Sequence, residues 1–359
     1  MMQTQVAIVG GGLTGLALAH QLQGAGVAFE LFEARARFGG RIKAFESAQG
    51  RVDIGPSWFW PGQPRIAGLI DALGLAKFAQ YDQGALCFED ASGPVQRGMG
   101  YASMSGSWRL QGSLVALIDA LVACVPQDRV HTGAEVTRIA RSGVGVKITL
   151  ADGQSCSADQ VVLAVPPRIA QALPFAPALT PAQLSALDAI PTWMAGHAKF
   201  VAVYDNAFWR ADGLSGDAMS RRGPLMEIHD ASGDSGQPAA LFGFLGLDAR
   251  ARQAQDTTLA QAALHQFARF FGPRALSPQA YCLQDWAREP LTARPRDLDP
   301  LRAHPDYGLP AVLAGVWDGR LQFACSETAP EMGGYMEGAL AAAERVAAQV
   351  QRAHSPGLK

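Results

Sequence analysis

The sequence predicts an α/β protein in which a discontinuous Rossmann-like dinucleotide-binding domain carries an inserted α+β domain. A strand, a glycine-rich turn, a helix and a second strand follow one another between residues 5 and 33, as in a βαβ unit. Strand and helix patterns then mix between residues 180 and 271, which indicates a second domain. The 359 residues, of which 48% are hydrophobic, are enough to fill two cores.

The elements follow from local hydrophobic patterns. Strands are expected at residues 6–9, 29–32, 144–150, 159–165, 199–204, 241–245, 311–316 and 321–325. Helices are expected at residues 16–22, 184–190, 259–270 and from about 335 to 350, where alanine is frequent. The proline-rich stretches 174–181 and 290–310 are interpreted as loops.

These elements suggest where the two domains divide. The dinucleotide-binding domain is predicted to comprise residues 1–58, 108–170 and 308–359. The substrate-binding domain is predicted to comprise residues 59–107 and 171–307. Each domain is therefore expected to be assembled from segments that are distant in sequence.

Composition narrows the class of partner. With 30 basic and 32 acidic side chains the formal charge is −2, which predicts no general affinity for nucleic acid or anionic lipid. The five cysteines form no C-x-x-C pair, and neither a secretion signal nor a membrane-spanning segment is recognised. We expect a cytoplasmic protein with small-molecule partners, no nucleic acid and no membrane; no oligomeric state is predicted.

The first functional motif is the G-x-G-x-x-G turn formed by Gly10, Gly12 and Gly15, with Leu13 and Thr14 inside it. Between a strand and a helix, such a turn brings backbone amides and a helix N-terminus close to a pyrophosphate. Glu33 ends the second strand, where a carboxylate accepts hydrogen bonds from ribose hydroxyls. The motif alone leaves FAD and NAD both open, and a glycine-rich turn of an unrelated α/β protein remains an alternative.

The next residues decide between the cofactors by resemblance. Residues 33–41 resemble the E-A-x-x-R-x-G-G-R signature of the flavin-containing amine oxidases, with Glu33, Ala34, Arg35, Gly39, Gly40 and Arg41 at the signature positions. Glycines allow the backbone to approach a cofactor, and an arginine fork suits its phosphates. The resemblance implies bound FAD.

Further matches extend this resemblance over most of the chain. Residues 53–58 resemble a D-x-G segment beside the isoalloxazine, which implies cofactor contacts for Gly55, Pro56, Ser57 and Trp58. Residues 112–121 and 161–167 match family patterns, and Val136 stands where the family contacts adenine. Residues 323–339 resemble F-A-G-x-E-T followed by G-Y-M-E-G-A, which implies that Glu327 binds the ribityl chain and that Gly334, Tyr335 and Met336 present a helix N-terminus to the flavin.

Three residues are candidates for catalysis. The resemblance implies that Tyr335 and Trp286 form an aromatic cage for the amine, although ordinary core packing is an equal alternative for Trp286. It also places Lys199, in an apolar strand, near flavin N5 through a water. After Trp286 the family's G-G-C-Y element is missing, so FAD is expected to be noncovalent. The histidines show no metal-ligand spacing.

The expected activity is therefore the FAD-dependent oxidation of a small amine by hydride transfer to flavin N5. The imine would be hydrolysed and oxygen would be reduced to hydrogen peroxide. Two alternatives remain open: a related flavin dehydrogenase or desaturase that acts on a non-amine substrate, and a flavin-binding protein without turnover.

Overall fold

A computed structural model describes residues 2–253, 258–301 and 303–354. The helices are α1 (Leu13–Gly24), α2 (Pro64–Ala72), α3 (Val115–Ala123), α4 (Pro167–Gln171), α5 (Pro181–Ala189), α6 (Phe208–Ala211), α7 (Ala249–Gln253), α8 (Leu259–Phe271) and α9 (Met336–His354).

The strands before residue 150 are β1 (Met2–Val9), β2 (Phe29–Phe32), β3 (Ala44–Ser47), β4 (Gly50–Asp53), β5 (Lys77–Ala79), β6 (Ala85–Glu89), β7 (Val95–Arg97), β8 (Trp108–Leu110), β9 (Val130–His131), β10 (Val136–Ser142) and β11 (Gly145–Leu150). The later strands are β12 (Ser155–Leu163), β13 (Phe175–Ala176), β14 (Ala198–Tyr204), β15 (Leu214–Ser220), β16 (Leu225–Asp230), β17 (Ala239–Leu245), β18 (Ala280–Asp285) and β19 (Leu321–Phe323).

The first large sheet has the order β13-β10-β11-β12-β1-β2-β9, and β19 also pairs with β12. Its centre is parallel: β1 lies between β12 and β2, with Val6 opposite Gln160 and Phe29. Strands β10 and β11 join it in antiparallel pairs. Helices α1, α3 and α9 pack together beside this sheet, with Leu16 and Val346 fully buried. The predicted Rossmann-like fold is confirmed.

The second large sheet has the order β18-β14-β17-β16-β15-β6-β7 and is antiparallel except between β6 and β15. All of its strands fall in the segments 59–107 and 171–307 that the sequence assigned to the substrate-binding domain. Strand β13 also lies in segment 171–307, but it pairs with β10 of the first sheet.

Most predicted elements match the structure, with bounds that differ by a few residues. The prediction of a strand at residues 311–316 was wrong. A 3-10 turn at Ala311–Leu313 follows Pro310, and further turns follow it. Leu313 and Val316 of this run pack against the first sheet without forming a strand, whereas Val312 is exposed. Strand β19 also ends at Phe323, since the chain forms a second 3-10 turn at Ser326–Thr328.

Within the described ranges, no helix is both long enough and apolar enough to cross a bilayer.

Candidate active site

The glycine-rich turn after β1 is shaped by close contacts with the protein itself. A Cβ on Gly10, whose φ is +109°, would lie 2.6 Å from the carbonyl oxygen of Ala164. A Cβ on Gly15 would lie 1.9 Å from the carbonyl oxygen of Gly10. These two positions must be glycine for the turn to form at all.

Gly12 is different, because nothing in the protein fills the space beside it. A Cβ there would have its nearest neighbours, the Gly39 oxygen and the Gly40 Cα, at 4.0 Å. Gly12 is the N-cap of α1, and no side chain caps that end of the helix. Free amides at a helix N-terminus beside an open groove suit a diphosphate. The residues therefore fit the dinucleotide that the motif predicts.

Glu33 lies directly after β2, as the sequence predicts, and is 4% exposed. Its Oε2 accepts a hydrogen bond from the Gly11 amide at 2.8 Å, and its Oε1 accepts one from the Arg35 amide at 2.9 Å. The carboxylate thus fixes the glycine turn. Each oxygen keeps a second acceptor site, so the same carboxylate can bind ribose hydroxyls.

A cavity of about 200 Å³ lies beyond the glycine turn. Of the residues named from the sequence, those in its wall are Leu13, Gly39, Arg41, Gly55, Pro56, Ser57, Trp58, Lys199, Trp286, Gly334, Tyr335 and Met336. Gly55 admits no side chain, because its Cβ would lie 2.0 Å from the Arg41 oxygen. The structure thus gathers segments from both ends and the middle of the chain around one cavity.

The remaining predicted cofactor residues lie outside this cavity wall. Thr14 is buried in α1, and Val136 begins β10 in the core of the first sheet. Gly40 has φ +57° and adjoins Gly12. Ala34 is half-buried, and Arg35 donates to Thr292 Oγ1 at 3.0 Å. Their contacts with a cofactor remain predictions.

Arg41 and Glu327 bind each other in a two-pronged ion pair. Arg41 Nη1 donates to Glu327 Oε1 at 2.5 Å, and Nη2 donates to Oε2 at 3.0 Å. Burial opposes the charge of Glu327, but Arg41 holds the pKa of this carboxyl below its usual range. The sequence predicts Arg41 at the phosphates and Glu327 at the ribityl chain. The structure shows them as one unit.

Lys199 is 2% exposed and reaches the cavity wall from β14. Its Nζ donates to Ser57 Oγ at 2.6 Å and to the Gly55 oxygen at 3.2 Å, and lies 3.8 Å from the centroid of the Phe242 ring. Burial lowers the pKa of Lys199 to about 7, an effect that Asp53 opposes. The charged ammonium and the neutral amine of Lys199 are therefore close in free energy near neutral pH.

Tyr335 lines the same cavity as Trp286, and its ring also has three other aromatic neighbours. Its ring stacks on His304 at 5.3 Å and lies 6.3 Å from the Trp193 ring and 6.5 Å from the Trp60 ring. No ring contact joins Tyr335 to Trp286 among the described residues. Trp286 is instead held in the wall, because its Nε1 donates to the Ile54 oxygen at 3.0 Å.

Sequence reasoning missed three of these aromatic residues, namely Trp60, Trp193 and His304. Trp193 is fixed by its backbone, since its amide donates to Glu327 Oε1 at 3.1 Å. His304 Nε2 donates to the Gly333 oxygen at 2.9 Å, beside Tyr335. Trp60 follows the segment 53–58 by two residues, whereas Trp193 and His304 lie in no motif recognised in the sequence. The only signal was that an amine site needs several aromatic rings.

Two family descriptions match this chain. The flavin-containing amine oxidoreductase family matches residues 96–351, and an NAD(P)-binding Rossmann-like domain matches residues 8–73. The chain therefore belongs to the flavin-containing amine oxidoreductase family. It is an FAD-dependent oxidoreductase of the amine oxidase class.

Individual relatives agree with this assignment. A probable flavin-containing monoamine oxidase A of Dictyostelium discoideum is 24% identical, over 96% of this chain and 97% of the relative. A putative flavin-containing monoamine oxidase of Mycobacterium tuberculosis strain H37Rv is 33% identical, over 62% of this chain and 48% of the relative. The second match thus leaves about half of that longer relative uncovered.

Solved structures share the fold. A putrescine oxidase bound to putrescine has a TM-score of 0.81 at 21% identity, covering 97% of this chain and 99% of that one. The cyclohexylamine oxidase from Brevibacterium oxydans IH-35A has a TM-score of 0.80 at 20% identity, covering 98% and 99%. The architecture is therefore that of an FAD amine oxidase.

Proposed function

We propose that this protein oxidises a small amine to an imine in the cavity between Lys199 and Tyr335, with noncovalent FAD and oxygen as the electron acceptor. When bound, FAD would supply the redox chemistry, namely hydride transfer from the amine α-carbon to its N5, with oxygen as the oxidant that is reduced to hydrogen peroxide and water hydrolysing the imine. The observation that carries the proposal is the convergence of the cofactor groove and the aromatic wall on one cavity.

The residues of the groove support the role of cofactor binding. The open space beside Gly12 and the free amides of α1 suit the diphosphate, and Glu33 suits the ribose. Helix α9 begins at Met336 in the cavity wall, so its positive end can stabilise negative charge that develops on the flavin ring. No cysteine is found among the described wall residues, which supports noncovalent attachment.

The aromatic residues support amine binding. The rings of Trp60, Trp193 and Tyr335 line the cavity and offer apolar faces on which an alkyl group can pack. The same faces attract an amine through cation–π contact before its proton is lost. Trp286, whose Nε1 donates to the Ile54 oxygen, forms another part of the cavity wall. These side chains orient the substrate and exclude water.

Lys199 supports the reaction with oxygen. Its ammonium is held by Ser57 and Gly55 at the cavity wall, where negative charge develops as oxygen accepts an electron. A fixed cation at such a point stabilises that charge strongly because the Lys199 side chain is buried. We propose Lys199, Tyr335 and Trp286 as the catalytic set, with Trp193 and Trp60 as additional substrate contacts.

We also propose that the two sheets mark two functional units, with the sequence-based boundaries kept except at β13. The glycine groove belongs to the first sheet and Lys199 to the second. The cavity then lies where the cofactor-binding and substrate-binding units meet.

A panel of amines tests the proposed function. Purified protein reconstituted with FAD is mixed with each amine in air, and peroxide is measured with a peroxidase-coupled dye. The expected result is peroxide in proportion to oxygen consumed. A parallel anaerobic experiment follows the flavin absorbance and includes an artificial electron acceptor. Bleaching without peroxide in air would favour a dehydrogenase, and FAD that no amine bleaches would contradict the proposal.

A further inference from the structure

Three charged side chains are buried together beside the active-site cavity, and only one of them lines it. Asp53, Arg109 and Lys199 are 2%, 6% and 2% exposed, and their charges act on one another. Asp53 ends β4, Arg109 lies in β8 and Lys199 lies in β14. Buried charges persist only where partners compensate for the lost water, so the three must be understood as a group.

Asp53 holds an incompletely bonded carboxylate. Its Oδ1 accepts a hydrogen bond from the Leu114 amide at 2.9 Å, whereas Oδ2 has no hydrogen-bond partner within the described part of the chain. Such an oxygen in a protein interior requires an explanation. Asp53 precedes by two residues the Gly55 carbonyl to which Lys199 donates. The Asp53 carboxylate and the Gly55 oxygen that binds the Lys199 ammonium thus belong to one short segment.

Arg109 does not neutralise this carboxylate through a direct hydrogen bond. Its two terminal nitrogens donate to the Ser232 and Ala231 oxygens at 2.6 and 2.9 Å. Its positive charge therefore remains to repel Lys199 and lowers the pKa of that lysine, whereas Asp53 raises it. Asp53 is the carboxylate that acts on both Arg109 and Lys199, although burial raises its own pKa, and Asp230 and Arg210 also act on Arg109.

We propose that Asp53 is a positioning residue that keeps the ammonium charge of Lys199 at the cavity wall against the repulsion of Arg109. Without that carboxylate, burial and Arg109 would favour the neutral amine of Lys199 near neutral pH. The consequence for turnover rests on the proposed function, since only a charged Lys199 stabilises the negative charge that develops on oxygen.

Other titratable groups lie around Lys199 and define the controls. Its register partners in β17 and β18 are the neutral Phe244 and Gln284, and Gln284 contacts Lys43 and Glu289. His197 lines the same cavity, and burial lowers its pKa. His229 of β16 lies behind Trp58, between Asp217 and Glu227, which raise its pKa against the effect of burial. These groups are unchanged in the variants below.

The first test is the pH profile of reoxidation by oxygen, measured by stopped flow after chemical reduction so that no amine is needed. In the unmodified protein the rate constant is expected to fall as pH rises through about 7, as Lys199 loses its proton. Asp53→Asn keeps an acceptor for the Leu114 amide and should move this fall to lower pH by about one to three units. Arg109→Gln should move it to higher pH.

A surface carboxylate provides the matched control. Asp119→Asn removes one negative charge from an exposed pair with Arg51 and should leave the profile where it is. If Asp53→Asn also leaves it unmoved while Lys199→Met abolishes it, the proposal is overturned. If Asp53→Asn does not fold, the shift expected for Arg109→Gln is still measured, and its absence overturns the proposal equally.

The second test needs no turnover. Because the pKa of Lys199 is about 7 in the folded protein and its ordinary value is 10.5, the unfolded chain binds more protons between these values. The free energy of unfolding should therefore rise with pH across this window. Asp53→Asn should extend the rise to lower pH, and should not do so in a Lys199→Met background.

The two tests separate the inference from the proposed function. If Asp53→Asn extends the rise in unfolding free energy equally with Lys199 and with Lys199→Met, the proposed role of Asp53 is overturned. If no amine is oxidised but the extension depends on Lys199, the proposed function fails and the relationship between Asp53 and Lys199 stands.

Discussion

Arg41 and Glu327, which are 286 positions apart in sequence, form a two-pronged ion pair that joins the glycine-rich segment to the turn before α9. The Glu327 side chain is fully buried and also accepts a hydrogen bond from Ser326 Oγ at 2.7 Å. Through the Trp193 amide it holds a third segment. This one carboxylate therefore assembles the cavity from three distant parts of the chain.

Removing Glu327 should destabilise the fold before it affects chemistry. Glu327→Ala deprives the Trp193 amide and Arg41, which is itself 27% exposed, of a fully buried acceptor, and an unsatisfied polar group costs about 1–3 kcal/mol of unfolding free energy. Urea denaturation of the protein without FAD measures this cost. Glu344→Gln breaks an exposed pair with Arg65 and should cost no more than about 1 kcal/mol. Equal costs for the two variants would contradict this account.

Gly12 and Gly15 should respond differently to the same substitution. Gly15→Ala brings a Cβ against the Gly10 oxygen and should lower both stability and FAD content. Gly12→Ala meets nothing closer than 4.0 Å, so the apoprotein should keep its stability while FAD affinity falls. Thermal unfolding without FAD and flavin titration separate the two effects. Full FAD affinity in Gly12→Ala would mean that the diphosphate lies elsewhere.

FAD should leave the protein on acid precipitation, since the described cavity wall contains no cysteine. Flavin absorbance in the supernatant and the pellet measures this. Glu33→Ala should weaken FAD binding by about 2 kcal/mol through lost charge-assisted bonds. The variant also releases the Gly11 and Arg35 amides, so apoprotein stability is its necessary control. Flavin that stays with the pellet would show a covalent bond.

Tyr335→Leu and Trp193→Leu should lower amine turnover while FAD content stays near normal, because both rings line the cavity that is proposed to bind the amine. Steady-state peroxide formation and flavin content are compared in each variant. Trp209→Leu removes a fully buried ring from a hydrophobic cluster beside the second sheet and should lower stability by about 3 kcal/mol or more instead. If all three variants lose stability and FAD together, Tyr335 and Trp193 are packing residues.

Lys199→Met should slow reoxidation by oxygen much more than reduction by the amine. Methionine keeps the apolar stem but removes the charge that Ser57 and Gly55 hold at the cavity wall. Losing one preorganised electrostatic contact costs about 100-fold or more in the step that it serves. Stopped-flow traces of the two half-reactions measure both rates. Unchanged rates in both half-reactions would show that Lys199 takes no part in the reaction.

The sequence by itself determined the features that depend on neighbours along the chain. The turn of Gly10, Gly12 and Gly15 and the carboxylate of Glu33 are separated by one helix and one strand, so spacing alone places them together. The run at 311–316 shows where this reasoning fails. Apolar composition indicates burial, but it does not say whether a partner strand is available, and here a turn buries Leu313 and Val316 while Val312 stays exposed.

Tertiary structure alone decided which distant side chains share the cavity. Trp60, Trp193 and His304 come from three separate loops, yet their rings surround Tyr335. Asp53 raises the pKa of Lys199 although nearly 150 residues separate the two in sequence. A similar distance in sequence separates Lys199 from Gly55, to which it donates a hydrogen bond. Periodicity and motifs report local conformation and burial, whereas ring contacts and charge balance depend on how the two sheets pack. That packing is set by the whole chain, which is why no single segment revealed it.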